Sequence, residues 1–265
     1  MSRALTALVD EWLAAQRSAN TRAAYAGDFR RFASWCADHE VDPVRVDARE
    51  LRRYRTAVER SGVSSATTAR RLAVVSSFGA FVTERGAATA FAVVGRPAVT
   101  PSRVVTTIDD ADAAALLRAA DGLGPRAGLL LRLLMLDGLK VGEVIAADAA
   151  HVSGKPPAMS LVVGRRTVHL HPDTSATIDT YLRRRRAGPL VLSAGRARRT
   201  DRLSRFGVDY LVKEVARAAG VEGSVSGNTL RRRYVVAAHA EGVGLDEIQR
   251  RAGHADVRTT RRYLS

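Results

Sequence analysis

The C-terminal part of the chain reads Asn228-Thr-Leu-Arg231, then Gly253-His254, then Thr259-Thr-Arg-Arg-Tyr263. An arginine guanidinium is planar, permanently charged and able to bind two phosphate oxygens at once. A histidine adds a further hydrogen-bond donor to such a centre, and a tyrosine hydroxyl is a nucleophile that can form a covalent intermediate. These three residue types, in this order, indicate chemistry at a phosphodiester bond.

The three motifs, with the intervening residues 245–254, resemble the tyrosine recombinase (phage integrase) family. There the pattern reads His-x-Leu-Arg-His, then Leu-Gly-His, then a tyrosine nine residues after that histidine, and Tyr263 follows His254 by the same nine. The resemblance implies a mainly α fold with a small β-sheet, in which an α-helical core-binding (SAM-like) domain precedes an α+β catalytic domain. It also implies that Tyr263 is the nucleophile, and that Arg231 and His254 stabilise the charge on a scissile DNA phosphate.

Three further positions of the family pattern carry substitutions. The family's first box, Thr-Gly-Leu-Arg-x-Ser-Glu, matches residues 137–143, with Lys140 in place of the arginine and Glu143 as a supporting group. The family's hairpin lysine falls on Arg165, whose guanidinium cannot readily give up a proton. Asn228 stands where the family usually has histidine, and an amide can bind phosphate but cannot shuttle a proton at neutral pH.

Two functions fit this pattern. The first is a compact site-specific DNA recombinase or integrase of a phage or other mobile element, acting through a 3′-phosphotyrosyl intermediate. The alternative is a pseudo-recombinase that occupies its DNA site but cleaves poorly, because Lys140, Arg165 and Asn228 replace three expected groups. A basic helical transcription regulator would explain the charge but not the Arg–His–Tyr spacing. The resemblance implies double-stranded DNA as partner, a homotetramer on that DNA, and no metal or cofactor.

The composition agrees with a polyanionic partner. The chain has 265 residues, a net charge of +15 and an isoelectric point near 11.1, which favour nucleic acid binding. A codon-biased genome is the competing explanation, because only three of the 42 basic residues are lysines. The single cysteine, Cys36, excludes a disulfide framework and a cysteine zinc site. Without a signal peptide or membrane-length apolar stretch, we expect a soluble, cytoplasmic protein associated with the nucleoid.

Residues 1–95 are predicted to form the N-terminal core-binding domain. Apolar residues at helical spacing, including Trp12, Phe29 and Phe78, indicate four helices around one core, with Cys36 on an apolar face. Arginines cluster on the third helix near 47–60 and at the start of the fourth. They are either DNA contacts or a solvated face, and the candidates for DNA contact, with one from the catalytic domain, are Arg49, Arg52, Arg53, Arg55, Arg70, Arg71 and Arg232.

A proline-containing linker is predicted at 96–106, followed by the catalytic domain at 107–265. There we expect helices at 109–120, 125–136, 141–147, 173–186 and 206–219, and a strand pair, 160–163 and 166–170, joined by Gly164-Arg165. A different hairpin register would bring Lys155 to the site instead. The cations at 183–186 either stabilise a helix C-terminus or contact phosphate, and those at 196–202 either contact phosphate or form a solvated turn.

Overall fold

A computed structural model of the chain describes residues 2–16, 19–87, 108–183, 185–193 and 201–264. The chain divides into two compact units, Met1–Val104 and Val105–Ser265. The linker predicted at 96–106 and most of the basic stretch at 196–202 lie outside the described residues. Among the residues that are described, no helix is both long and apolar enough to cross a bilayer.

The N-terminal unit contains, in its described part, the four predicted helices: α1 (Arg3–Ala14), α2 (Ala19–Asp38), α3 (Ala48–Arg60) and α4 (Ser65–Glu84). Side-chain caps explain where two of them begin. Asp47 accepts a hydrogen bond from the backbone of Glu50, whose carboxylate accepts one in return, and Ser64 caps α4. These caps satisfy backbone N–H groups that a helix start leaves without partners.

Aromatic side chains form the centre of this unit. Trp12, Phe29 and Phe78 are buried, with ring centroids 4.5 to 5.7 Å apart. The indole N–H of Trp12 donates to the Ser77 hydroxyl at 3.2 Å, so its polar edge is also satisfied. Cys36 is buried as predicted, and burial raises the pKa of its thiol to about 12. The apolar stripes seen in the sequence are therefore the core of the unit.

The C-terminal unit is built around one nearly all-apolar helix. Leu129, Leu130, Leu131, Leu133 and Leu134 of this helix are all buried. It packs most extensively against the helices Asp110–Gly122, Pro172–Leu182 and Gly227–Ala240. The helices of the unit's described part are α5 (Asp110–Gly122), α6 (Pro125–Met135, the buried one), α7 (Val141–Ala146), α8 (Pro172–Leu182), α9 (Arg205–Ala219), α10 (Gly227–Ala240), α11 (Leu245–Ala252) and α12 (Val257–Leu264), with a short 3-10 helix at Ala149–His151.

A three-stranded antiparallel sheet of order β1-β2-β3 lies between α7 and α8 in the chain, and comprises β1 (Val152–Lys155), β2 (Ala158–Val163) and β3 (Arg166–His169). The predicted turn at Gly164-Arg165 joins β2 and β3, and Gly164 has a positive φ of 60°. Strand β1 was not predicted, because its exposed residues show no alternation of apolar and polar side chains. Lys155 pairs with Ala158, at the end of β2 opposite the turn, so the alternative register for Lys155 is wrong.

Helix α8 is shorter than predicted and ends at Leu182 rather than at 186. Arg183 caps it with a positive φ of 50°, which takes the backbone out of the helix. Arg185 then donates to the carbonyls of Pro189 and Leu190 and holds a turn there. The cations after Leu182 that the structure describes are therefore not in a last helical turn, and that interpretation is wrong.

Candidate active site

Arg231 occupies the first turns of α10 and is almost completely buried, with 3% of its surface exposed. Its guanidinium donates to the carbonyl of Gly138, just before α7, and to the carbonyl of Ala252, at the end of α11, at 2.6 Å. Burial lowers the pKa of Arg231, while Tyr263 and Glu143 oppose this shift. The side chain is thus fixed between two segments that are remote in sequence.

The C-terminal end of α11 gathers three cations on three consecutive carbonyls. Arg166 donates to the carbonyl of Arg251, Arg231 to that of Ala252, and the Lys140 ammonium to that of Gly253 at 2.7 Å. The last carbonyls of a helix lack intrahelical partners and carry partial negative charge, so they are suitable acceptors for cations. Positive charge is therefore concentrated immediately before His254.

Glu143 is the carboxylate that these cations share. It lies in the first turn of α7, where one carboxylate oxygen accepts from the Lys140 backbone at 2.7 Å and from Arg166 at 2.9 Å. The Lys140 ammonium and the Arg231 guanidinium lie 3.7 and 3.9 Å from the same carboxylate group. Glu143 thus lowers the mutual repulsion of three positive side chains, which permits them to be close together.

His254 lies against Tyr263, with ring centroids 5.2 Å apart and an interplanar angle of 27°. Its Nδ1 shares a hydrogen bond of 2.8 Å with the Thr260 hydroxyl, and its buried Nε2 has no partner within the described part of the chain. Burial and the nearby cations, Arg231 first among them, lower the pKa of His254 to about 4. The imidazole is accordingly neutral at pH 7.

Tyr263, on α12, donates its hydroxyl proton to Oδ1 of Asn228 at 2.6 Å. Asn228 is in the first turn of α10, three residues before Arg231, so one helix start holds both side chains beside the tyrosine. Residues predicted from the C-terminal motifs are thereby brought together: the phenol, its amide acceptor, the buried guanidinium and the histidine form one cluster with Lys140 and Glu143.

Arg165 lies in the hairpin turn, where the sequence pattern placed it, but the arginine that reaches the cluster is its neighbour Arg166. Arg165 is exposed on the hairpin turn, whereas Arg166, at the start of β3, contacts Glu143 and the end of α11. Sequence reasoning missed Arg166. The available signal was strand alternation, because successive side chains of a strand point to opposite faces. No group of three or more metal-binding side chains occurs among the residues that the structure describes.

The arginines predicted to contact DNA fall into two groups in the N-terminal unit. On α3, Arg49, Arg52 and Arg53 are exposed, and Arg55 is half-buried in an ion pair with Glu59 at 2.8 Å.

Arg70 and Arg71, on α4, instead surround Asp28 of α2. Asp28 is only 2% exposed, and its carboxylate lies 2.7 Å from Arg70 and 3.8 Å from both Arg71 and Arg31. The sequence did not indicate this buried carboxylate, which is an ordinary helix residue by pattern. The other predicted DNA contact, Arg232, is half-buried on α10 of the C-terminal unit.

The chain has a helical unit followed by an α+β unit, and the second unit gathers arginine, histidine and tyrosine in one cluster. This combination is typical of a tyrosine-dependent DNA strand-transferase. The chain belongs to the phage integrase family: residues 10–86 match the family model of the phage integrase N-terminal SAM-like domain, and residues 106–265 match that of the phage integrase family proper. The predicted family and fold class are confirmed.

Curated relatives are tyrosine recombinases of the XerD and XerC types. The chain is 26% identical over 267 residues to tyrosine recombinase XerD of Ralstonia nicotianae, covering 95% of this chain and 85% of that one. It is 27% identical over 266 residues to tyrosine recombinase XerC of Xanthomonas campestris pv. campestris, covering 94% and 79%.

Solved structures of similar fold include recombinases bound to DNA. A lambda integrase (75–356) dimer bound to a COC′ core site matches with a TM-score of 0.72 at 14% identity, covering 98% of this chain and 95% of that one. The XerH site-specific recombinase in a post-cleavage complex with difH matches with a TM-score of 0.72 at 16% identity, covering 92% and 75%. The TM-scores show a likeness of fold, and at identities below 25% these two matches show nothing more.

Proposed function

We propose that the chain is a site-specific recombinase that cleaves and rejoins double-stranded DNA, with Tyr263 as the nucleophile. The observation that carries the proposal is the position of the Tyr263 hydroxyl. It lies beside Arg231 and His254 in a cluster of cations held by the carbonyls at the end of α11. A phosphate that entered this cluster would meet positive charge and a phenolic oxygen together.

In the proposed cleavage step, the Tyr263 oxygen attacks the scissile phosphorus, and the bond to the 5′ oxygen breaks. The products are a 3′-phosphotyrosyl link and a 5′ hydroxyl, so one ester replaces another and no energy source is needed. The 5′ hydroxyl of a partner strand then attacks the same phosphorus and releases the phenol. Water would exchange both protons in this step: it takes the phenolic proton and supplies one to the departing 5′ oxygen, because Asn228 is not a base and the exposed Arg165 is a poor acid.

The cation cluster would act on the charge of the non-bridging oxygens. Arg231 and Lys140 are held before any substrate binds, and such preorganised donors are usually the largest catalytic contribution. His254 is neutral at pH 7; in the tautomer whose Nδ1 accepts a hydrogen bond from the Thr260 hydroxyl, its Nε2–H would donate to the phosphate. Asn228 accepts only a hydrogen bond from the Tyr263 hydroxyl and would not take up its proton, since an amide is not a base.

Double-stranded DNA is the proposed partner, supported by the net charge of +15 and by the exposed arginines of α3. In two solved structures of similar fold, a lambda integrase dimer and XerH are each bound to a DNA site. Exchange between two duplexes uses four active sites, so we propose a homotetramer on DNA at the nucleoid. We propose that the recombinase acts for a phage or other mobile element, which the match to the phage integrase family supports.

A pseudo-recombinase is the second candidate, and two observations favour it. Asn228 holds the Tyr263 hydroxyl without being able to remove its proton, and Arg165 lies exposed in the hairpin turn where a proton donor is expected. Such a protein would bind its site tightly and cleave slowly. Its role would be occupancy of the DNA rather than cutting.

A covalent-adduct assay tests the proposal. A binding site is first selected from random duplexes with the Tyr263→Phe variant, and duplexes carrying that site are then nicked at successive positions to trap cleavage. The wild type should form a protein–DNA adduct on a denaturing gel, Tyr263→Phe should form none, and Tyr210→Phe, at an exposed tyrosine of α9, should match the wild type. Tight binding without any adduct would favour the pseudo-recombinase.

A further inference from the structure

Position 140 carries a lysine, yet the cluster contains a second guanidinium beside that of Arg231. It belongs to Arg166, which reaches the shared carboxylate of Glu143 at 2.9 Å, closer than the Lys140 ammonium at 3.7 Å. An ammonium is a point charge, whereas a guanidinium presents a planar fork that fits two phosphate oxygens. Arg166, at the start of β3, can therefore supply the guanidinium that position 140 lacks.

We infer that Arg166 is a further catalytic residue of this chain, which binds the scissile phosphate in place of the arginine missing at Lys140. The inference rests on the proposed DNA cleavage and deepens it. Arg166 is not the residue that the hairpin pattern indicated, which is Arg165. It is also not interchangeable with Arg165, because only Arg166 is joined to Glu143 and to the end of α11.

The side chain of Arg166 is both held and accessible. Its bonds to Glu143 and to the Arg251 carbonyl use two of the five N–H groups of a guanidinium, and 21% of the side chain is exposed. N–H groups therefore remain for an incoming phosphate oxygen. Two fixed anchors also mean that little conformational freedom would be lost on binding.

The backbone next to His254 leaves room for this guanidinium. Gly253 has a φ of +64°, and a Cβ placed there would lie 2.7 Å from Nε and 3.0 Å from Cζ of Arg166. The guanidinium thus packs directly on the glycine that precedes the histidine. Its charge also contributes to the low pKa of His254, which places Arg166 within electrostatic reach of the reacting groups.

The first test is a set of single-turnover cleavage rates on the nicked duplex. Loss of one preorganised donor typically costs about 100- to 1,000-fold, so Arg166→Ala should fall in that range, and Arg166→Lys should recover only part of the rate. Arg250→Ala removes the same charge from an exposed side chain of α11 and should leave the rate unchanged. A larger loss in Arg165→Ala than in Arg166→Ala would overturn the inference.

Rescue from position 140 separates a catalytic from a merely structural role. If Arg166 supplies the missing fork, adding Lys140→Arg to Arg166→Ala should restore the rate at least about tenfold. If Arg166 only braces Glu143 and α11, the second substitution should restore nothing, and the inference fails while the proposed function stands.

A binding measurement covers the case in which the wild type does not cut. Neutral methylphosphonates are placed one at a time along the selected duplex, and the loss of affinity is measured by fluorescence anisotropy. Arg166→Ala and Arg231→Ala should become insensitive to substitution at the same single phosphate. Retained sensitivity in Arg166→Ala at the phosphate sensed by Arg231 would overturn the inference, and failure of the wild type to bind any duplex would overturn the proposed function.

Discussion

The hydroxyl of Tyr263 donates a 2.6 Å hydrogen bond to the side-chain oxygen of Asn228, so the proposed nucleophile is held by an amide rather than by a base. The contact joins the start of α10 to α12, across 35 positions of sequence. It keeps the phenol beside Arg231 and His254 and leaves its proton in place. We therefore expect the residue at position 228 to control how fast the Tyr263 hydroxyl loses its proton.

Replacing Asn228 by histidine should speed adduct formation, because an imidazole near neutral pH can accept the phenolic proton. General-base assistance is worth about 100- to 10,000-fold when well placed, and we expect at least about tenfold here. Single-turnover rates at pH 6 to 8 would measure this, with Asn228→Gln as the control that retains an amide. Equal rates in the histidine and glutamine variants would contradict the prediction.

Gly253→Ala should destabilise the chain more than the same change at Gly220. Both glycines follow a helix with left-handed φ, +64° and +66°, but a Cβ at Gly220 meets nothing within 4 Å, whereas one at Gly253 would collide with Arg166. Backbone strain alone costs about 1 kcal/mol, and we expect about 1 kcal/mol more at Gly253. Urea unfolding of the two variants measures the difference, and equal losses would argue against close packing of Arg166 on Gly253.

Stability should depend on pH through His254. Its pKa is about 4 in the folded chain, against an ordinary value of 6.5 for histidine, so the unfolded chain binds the proton more readily. The neutral imidazole contributes at most about 3 kcal/mol to the free energy of unfolding. This contribution is complete above pH 6.5 and is lost as the pH falls towards 4. The difference in unfolding free energy between wild type and His254→Gln should shrink over this window. A difference that is constant with pH would contradict the lowered pKa.

Through Asp137, stability should change with pH in the opposite direction, falling as the pH rises. It is buried, accepts a 2.7 Å hydrogen bond from the His171 backbone, and burial raises its pKa from 3.8 to about 7. The folded chain therefore binds this proton more tightly, and stability declines as the pH rises from about 4 to 7. Asp137→Asn should be more stable relative to wild type at pH 8 than at pH 5, by up to about 3 kcal/mol in urea unfolding. A pH-independent difference would count against a raised pKa.

Asp28→Asn should destabilise the N-terminal unit. The change removes the buried carboxylate that Arg70, Arg71 and Arg31 share, and leaves these cations facing one another. Because Arg31 and Arg70 remain about half exposed to water, we expect a loss of about 2 kcal/mol, below the range for a fully buried pair. Thermal and urea unfolding would measure it, with Asp38→Asn at the exposed end of α2 as the control. Equal stability of the two variants would mean that Asp28 does not organise these arginines.

Local sequence patterns were sufficient to predict much of the fold. Apolar spacing predicted α1 to α4 with Trp12 and Phe78 in the core, because a helix buries residues that recur every three or four positions. Helices were also predicted at the positions of α5 to α9 in the second unit. The turn at Gly164-Arg165 was also predicted correctly, from the two strands that flank it. Patterns were weaker where structure depends on a partner: β1 has no apolar alternation and exists through its pairing with β2.

By itself, then, the sequence determined the family, and with it a helical unit followed by an α+β unit. It also determined the candidates Arg231, His254 and Tyr263, because each follows from residue type and spacing along the chain. Only the tertiary structure decided which cations meet. It placed Arg166 rather than Arg165 on Glu143. The physical reason is that such contacts join segments as far apart as Lys140 and Gly253, and their geometry depends on how the helices pack rather than on any local periodicity.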